Sequence, residues 1–181
     1  MATLPRILVA VSAPDGSPLE LETTTVALRA ARPEDRPYVT ALSGRVFAEL
    51  GDYARILGGW FDHAHVNTTL AVVDDVPVGF VMWAFVHGGE DDPSHPVADV
   101  IGIAVAPRWR RVGIGALLLG NAIQQARALA AAVDARTIAL SVAESNAGAR
   151  ALFERHGFAL ETDDEARYPN GQRCLRMVTK L

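Results

Sequence analysis

Along the chain, apolar residues recur with a period that switches between two and three to four, and each switch marks a new element. Residues 26–31 read as a strand. Arg32-Pro33-Glu34-Asp35 then brings the proline and carboxylates that favour a helix start. Helical patterning continues to about Leu57, divided into two helices by Gly51 and by the pair Gly58-Gly59. Residues 69–73 and 78–86 are β-rich apolar runs on either side of Asp74-Asp75-Val76-Pro77, which has the chemistry of a hairpin turn. A loop over 87–96 leads into a third strand, 97–106, which Pro107 stops by removing an amide donor. A long helix over 115–133 follows, with Leu118, Ala122, Ala126, Leu129 and Val133 as its buried stripe. Residues 137–142 form a strand, 146–156 a helix ended by Gly157, and 158–162 and 173–180 two last strands joined through Asn170-Gly171. Upstream, runs at 7–11 and 19–22 flank the turn formers of 13–18 and predict a short hairpin. The order predicts an α+β fold, one mixed sheet covered by helices.

Composition narrows the function. A chain of 181 residues, half of them hydrophobic, fits one domain that needs no disulfide or metal to stand. Its one cysteine, Cys174, excludes a disulfide framework and a multi-thiolate metal site. With 21 Asp plus Glu against 17 Lys plus Arg, the net charge of −4 speaks against a dedicated nucleic-acid binder. No apolar run reaches the roughly 18 residues of a membrane helix, and the N-terminus lacks a signal-peptide pattern. A soluble cytoplasmic protein without membrane or nucleic-acid partners is expected.

The segment richest in chemistry runs from Ile103, Ala104 and Val105 through Arg110, Arg111, Val112 and Gly113 to Ile114, Gly115 and Ala116. A strand enters a basic glycine-containing turn that opens a helix, which builds an anion site from backbone amides and a helix N-terminus. A dinucleotide fingerprint would need a third glycine where Leu118 stands, and a phosphate-binding Walker loop needs Lys-Ser or Lys-Thr. The bland alternative is a glycine-opened helix with solvated arginines. What remains is Arg-x-x-Gly-x-Gly over 110–115, and a second motif, Asn-x-x-Ala-x-x-Leu-Phe-x-x-x-Gly-Phe, over 146–158.

Together, in this order, these motifs resemble those of the GNAT superfamily of N-acetyltransferases. The resemblance covers residues 26–181 as an acetyltransferase domain and leaves 1–25 as an N-terminal extension, whose hairpin is available to a homodimer. It implies a mostly antiparallel sheet of six or seven strands, with a central pair splayed between 97–106 and 137–142 to receive acetyl-CoA. It also implies that Arg110 to Ala116 bind the pyrophosphate, that the backbone of Ile103, Ala104 and Val105 holds pantetheine and thioester, and that Asn146 and Phe153 flank the cofactor. The acceptor would be a primary amine of a small molecule or peptide, attacking the thioester directly.

Two positions depart from the family pattern. Its tyrosine acid aligns with Phe153, and a glutamate base found in some relatives aligns with Ser141. Asp99 is the first candidate for the base, placed by period-two alternation on the strand face of Ile101, Ile103 and Val105, with His95 as the alternative. Tyr168 is nominated as the acid, with water-mediated proton transfer equally open. These departures keep a second function in view, a non-catalytic acyl-CoA-binding sensor or interaction module. A nucleotide-binding module without transfer activity is a third, disfavoured by Leu118. Asp62, His63 and His65 lack further ligands, so no metal is expected, and they would line the acceptor side instead. Glu90-Asp91-Asp92 would draw a cationic amine or merely form a solvated turn; Trp60, Phe61 and Trp83 would wall a pocket or fill the core. Cys174 reads as a small buried apolar residue.

Overall fold

The computed structural model describes residues 6–11, 20–87, 95–161 and 166–181; the acidic triplet at 90–92, the turn formers of 13–18 and the expected strand end at Thr162 lie outside them. Strands β1 (Arg6–Val11) and β2 (Glu20–Thr25) pair antiparallel as a sheet of their own. The main sheet has seven strands: β3 (Ala27–Ala30), β4 (Val66–Val73), β5 (Val76–Val86), β6 (Val97–Val105), β7 (Thr137–Ala143), β8 (Ala159–Leu160) and β9 (Cys174–Lys180). Their spatial order is β3-β4-β5-β6-β7-β9-β8, antiparallel except for the β6–β7 pair. The mixed, mostly antiparallel α+β architecture is the expected one.

Helices α1 (Arg36–Val46) and α2 (Tyr53–Phe61) cover one face of this sheet; α3 (Ile114–Val133) and α4 (Ala147–Arg155) cover the other. Under α1 and α2 lies a core of Val39, Leu42, Leu57, Leu70, Phe80 and Met82. Under α3 and α4 a larger one includes Trp83, Leu118, Ala122, Ile138, Leu140 and Phe153. Burying each such large side chain stabilises the fold by about 1.5–3 kcal/mol, so the sheet is clamped from both sides.

Local chemistry sets the boundaries. Asp74 and Asp75 both have positive φ (48° and 63°), as a two-residue primed hairpin turn requires. The turn is therefore shorter than expected, and Pro77 already belongs to β5. Asp52 and Asn146 cap α2 and α4 by accepting from the amides of Arg55 (3.2 Å) and Ala149 (3.1 Å). Gly51 breaks the α1–α2 region as expected, with φ 144°. Gly58-Gly59 does not: both lie inside α2, where a side chain on Gly58 would meet Thr40 Oγ1 of α1 at 3.2 Å. Glycine here permits close helix packing.

The stripe on α3 is also corrected. Leu118, Ala122 and Ala126 are buried, together with Leu119, Ile123 and Ala130, whereas Leu129 and Val133 are exposed. The contact stripe drifts around the helix as it crosses a twisted sheet, which a fixed period cannot anticipate.

Candidate active site

The site begins as a fault in the sheet. In β6, Gly102 faces Met82 of β5 and Val100 faces Trp83, so Ile101 is an extra residue, a β-bulge. A bulge places two successive side chains on one side. Asp99, Ile101 and Gly102 accordingly face the α1–α2 side, where Gly102 lies against Leu57, whereas Ile103 and Val105 pack toward α3. Uninterrupted alternation had put Asp99 on the face of Ile103 and Val105; the bulge reverses that.

The same residue ends the β6–β7 ladder. Ala98, Asp99 and Val100 pair with Ile138, Ala139 and Leu140, and past them the two strands diverge. Ala106 donates its amide to the Val78 carbonyl of β5 at 2.9 Å. By the two-residue alternation of an antiparallel ladder, the amide of Ala104 also points to β5, while the backbone groups of Ile103 and Val105 point into the gap. Ala104, expected beside them, is thus turned away, its side chain buried under α1 and α2.

The gap is a cavity of about 460 Å³ that passes through the sheet, lined by Leu57 and Trp60 of α2 on one side and by Asn146, Ala149 and Phe153 of α4 on the other. It gathers Asp99, Ile103, Asn146, Phe153 and Tyr168 of the expected residues. Phe153 is almost wholly buried against Phe158 and contributes a wall without a polar group. Asn146 spends its side-chain oxygen on the helix cap, so the plain structural role is real at this position.

At the α3 end, the turn after β6 is shaped for an anion. Arg111 and Gly113 have positive φ (68° and 94°), and Gly113 stands at the helix N-cap. A side chain added to Gly113 would meet nothing within 4 Å, which leaves an open cradle over the first helical amides. Gly115 has a different task, since a side chain there would come within 3.3 Å of Leu152 in α4. No acidic residue occupies the first turn. Arg110 reaches back, donating from Nε to the Val105 carbonyl at 3.1 Å, so it braces the loop. Arg108 and Arg111 are exposed; Arg108 lies over the Trp109 ring at 5.5 Å. These groups suit a diphosphate.

At the other end the groups are ionisable side chains. Asp99 is partly buried, and loss of solvation pushes its carboxyl above the usual carboxylate range, opposed by Arg176 at 4.0 Å. Arg176 itself is held by Glu161, Nε to Oε2 at 2.7 Å, and stands opposite Ser141 in the ladder. Tyr168 has its phenol pKa raised, chiefly by burial and further by the neighbouring Cys174. The phenol of Tyr53, across the cavity, is also raised by burial. Cys174 is therefore no simple core residue but part of the lining.

His95 is set apart from the cavity, its Nδ1 2.9 Å from Asp134 at the end of α3, so it is poorly placed as a base. Asp62 pairs with Arg36 at 2.8 Å, and the His63 ring lies between those of Trp60 and His65, tilted against both. Among the described residues no group of ligands could hold a metal ion. Trp83 is core, with Nε1 donating to Gln125; Trp60 lines the cavity, and Phe61 packs beneath α2. Sequence reasoning missed Tyr53, Ile56 and Arg176. An arginine in the middle of a strand was the available signal for the last, whereas the first two resemble any residues of an amphipathic helix.

The sequence model of the family described as "Acetyltransferase (GNAT) family" matches residues 27–158. No curated protein matches the chain. Among solved structures, Arabidopsis thaliana NAA60 bound to a bisubstrate analogue is similar over 86% of this chain and 98% of its own, with TM-score 0.72 and 18% identity. The same plant protein in complex with acetyl-CoA gives a TM-score of 0.70 at 14% identity, over 87% of this chain and 99% of that one. Ribosomal-protein-alanine N-acetyltransferase from Brucella melitensis gives 0.69 at 20% identity, over 86% and 99%. Likeness at these identities concerns the fold. Among the described residues, no helix is long and apolar enough to cross a membrane.

Proposed function

The chain belongs to the acetyltransferase (GNAT) family, and we propose that it transfers an acetyl group from acetyl-CoA to a primary amine of a small molecule or peptide by direct attack on the thioester. The observations that carry this reading are the gap in the sheet, lined by Asp99 and Tyr168, and the open anion cradle at the N-terminus of α3, where the turn after β6 ends. The catalytic unit is taken as residues 26–181, with 1–25 as an extension. Acetyl-CoA, when bound, supplies an acyl group already activated as a thioester.

The main-chain amides from Arg111 to Ala116 hold the diphosphate, and Gly113 keeps their cradle clear. The gap-facing backbone of Ile103 and Val105 aligns the pantetheine arm, and Asn146 closes the α4 side. An amine with pKa of about 10.4 is mostly protonated at neutral pH and must lose a proton before it attacks. Asp99 accepts that proton, directly or through a water, and Arg176 nearby partly offsets the cost of its buried charge. A gap-facing backbone N–H of β6 stabilises the negative charge that forms on the carbonyl oxygen. Tyr168, kept protonated by its burial, donates a hydrogen bond to the departing thiolate.

Thiol release from acetyl-CoA across a panel of amines tests this. Release that depends on the amine supports the enzyme; tight binding of CoA without such release would leave the acyl-CoA sensor as the function.

A further inference from the structure

The acceptor end has a composition of its own. Beyond Asp99 the cavity is walled by Phe47, Leu50, Tyr53, Ile56, Trp60 and Tyr168. Phe47 and Tyr53 form a continuous aromatic wall, their ring centroids 5.2 Å apart. Ile56 and Trp60, one helical turn apart on α2, are 37% and 39% exposed at the rim of the cavity they line. Large apolar side chains converging on a concave site have a use when a ligand covers them.

The charges point the same way. Among the described lining residues the ionised side chains are Asp99, deep in the cavity, and Arg167, whose Nη1 is turned onto the Gly171 carbonyl of its own turn at 2.9 Å. An amine nitrogen therefore meets one carboxylate, which already has the Arg176 cation 4.0 Å away, and the atoms behind it meet apolar surface. A second cation on the acceptor would have to leave water beside Ile56, Trp60 and Tyr53 with no counter-charge among the described wall residues.

We infer that the acceptor is a primary monoamine borne on an uncharged apolar body, such as an arylalkylamine, a branched alkylamine or the amino terminus of a peptide with a bulky apolar first residue, and that Tyr53, Ile56 and Trp60 set this preference. The inference rests on the acetyl-transfer reading above. It adds a substrate class and ranks polyamines and aminoglycosides below apolar monoamines as acceptors.

The test uses the full chain, acetyl-CoA, and five acceptors: 2-phenylethylamine, isoamylamine, a leucine-first tetrapeptide, spermidine and kanamycin. The expected result is a kcat/KM for at least one apolar monoamine or the tetrapeptide about tenfold or more above that for either polycation. Preference between the free amines and the tetrapeptide identifies the source of the same chemistry. Ile56→Glu, at a half-exposed rim position that tolerates the change, is expected to raise the KM for 2-phenylethylamine and lower that for spermidine, with smaller changes in kcat. As a readout separate from turnover, 2-phenylethylamine added to the CoA-saturated protein should change the tryptophan fluorescence, and Trp60→Leu should remove most of that change. If calorimetry registers CoA binding but spermidine or kanamycin is the better acceptor, the apolar preference is overturned and acetyl transfer stands. If CoA gives neither heat nor thiol release with any amine, both fall.

Discussion

The two halves of the proposed site are built from different materials. The half proposed for the cofactor is made of main chain: the turn amides beneath Gly113 and the gap-facing backbone of Ile103 and Val105. The half proposed for the acceptor is made of side chains from α2, β6, β9 and the turn before β9: Tyr53, Asp99, Arg176 and Tyr168. A backbone site constrains residue type mainly by what must be absent, namely a side chain, and it leaves glycines at fixed spacing. A side-chain site is assembled from distant segments and leaves no local pattern. The first can stay constant while the second is altered for each acceptor.

Substitutions separate the two ends, and the largest effect belongs at the cradle. Gly113→Glu puts a carboxylate into the open space at φ 94°. CoA affinity measured by calorimetry should fall at least about 100-fold, from repulsion and backbone strain together. Unchanged affinity would remove the diphosphate from this turn. At the acceptor end, Asp99→Asn should lower kcat about 100-fold, the lower part of the range for general bases, with CoA affinity nearly intact. The raised carboxyl also fixes the sign of the pH dependence. Below its pKa Asp99 is protonated and cannot accept a proton, so kcat/KM should climb with pH through a value above the ordinary carboxylate range. The Asn variant should lose that limb, and a wild-type profile in it would eliminate Asp99 as the base.

A smaller effect is expected from Tyr168→Phe, which removes one hydrogen bond to the thiolate and should cost about tenfold in kcat. Steady-state rates with the best acceptor measure it. The smallest comes from Asn146→Ala. Loss of the α4 cap should cost about 1 kcal/mol in urea unfolding and weaken CoA binding only a few-fold. A much larger loss of CoA affinity at constant stability would show that the side chain serves the ligand more than the helix.

The elements and their order were readable because most segments obey one period, and the glycine turn that opens α3 because Gly113 and Gly115, with one residue between them, stand beside arginines. What escaped was whatever depends on a break in period. Alternation carried through Ile101 put Asp99 on the face of Ile103 and Val105, which the bulge reverses, although Asp99 does line the cavity. Leu129 and Val133 were assigned inward by a stripe that drifts. Tyr53 and Ile56 were invisible, since a helix that walls a cavity and one that merely packs share the same apolar face. Arg176 pairs with Asp99 and Glu161, partners distant in the chain, and only the folded sheet brings the three together.

One surplus residue, Ile101, has a consequence for traffic. A continuous sheet is a partition, and whatever binds on one side is screened from the other. By unzipping β6 from β7 after three pairs, the bulge turns that partition into a window. In the proposed reaction, donor and acceptor then arrive through separate doorways and meet in the thickness of the wall, so neither has to leave before the other enters.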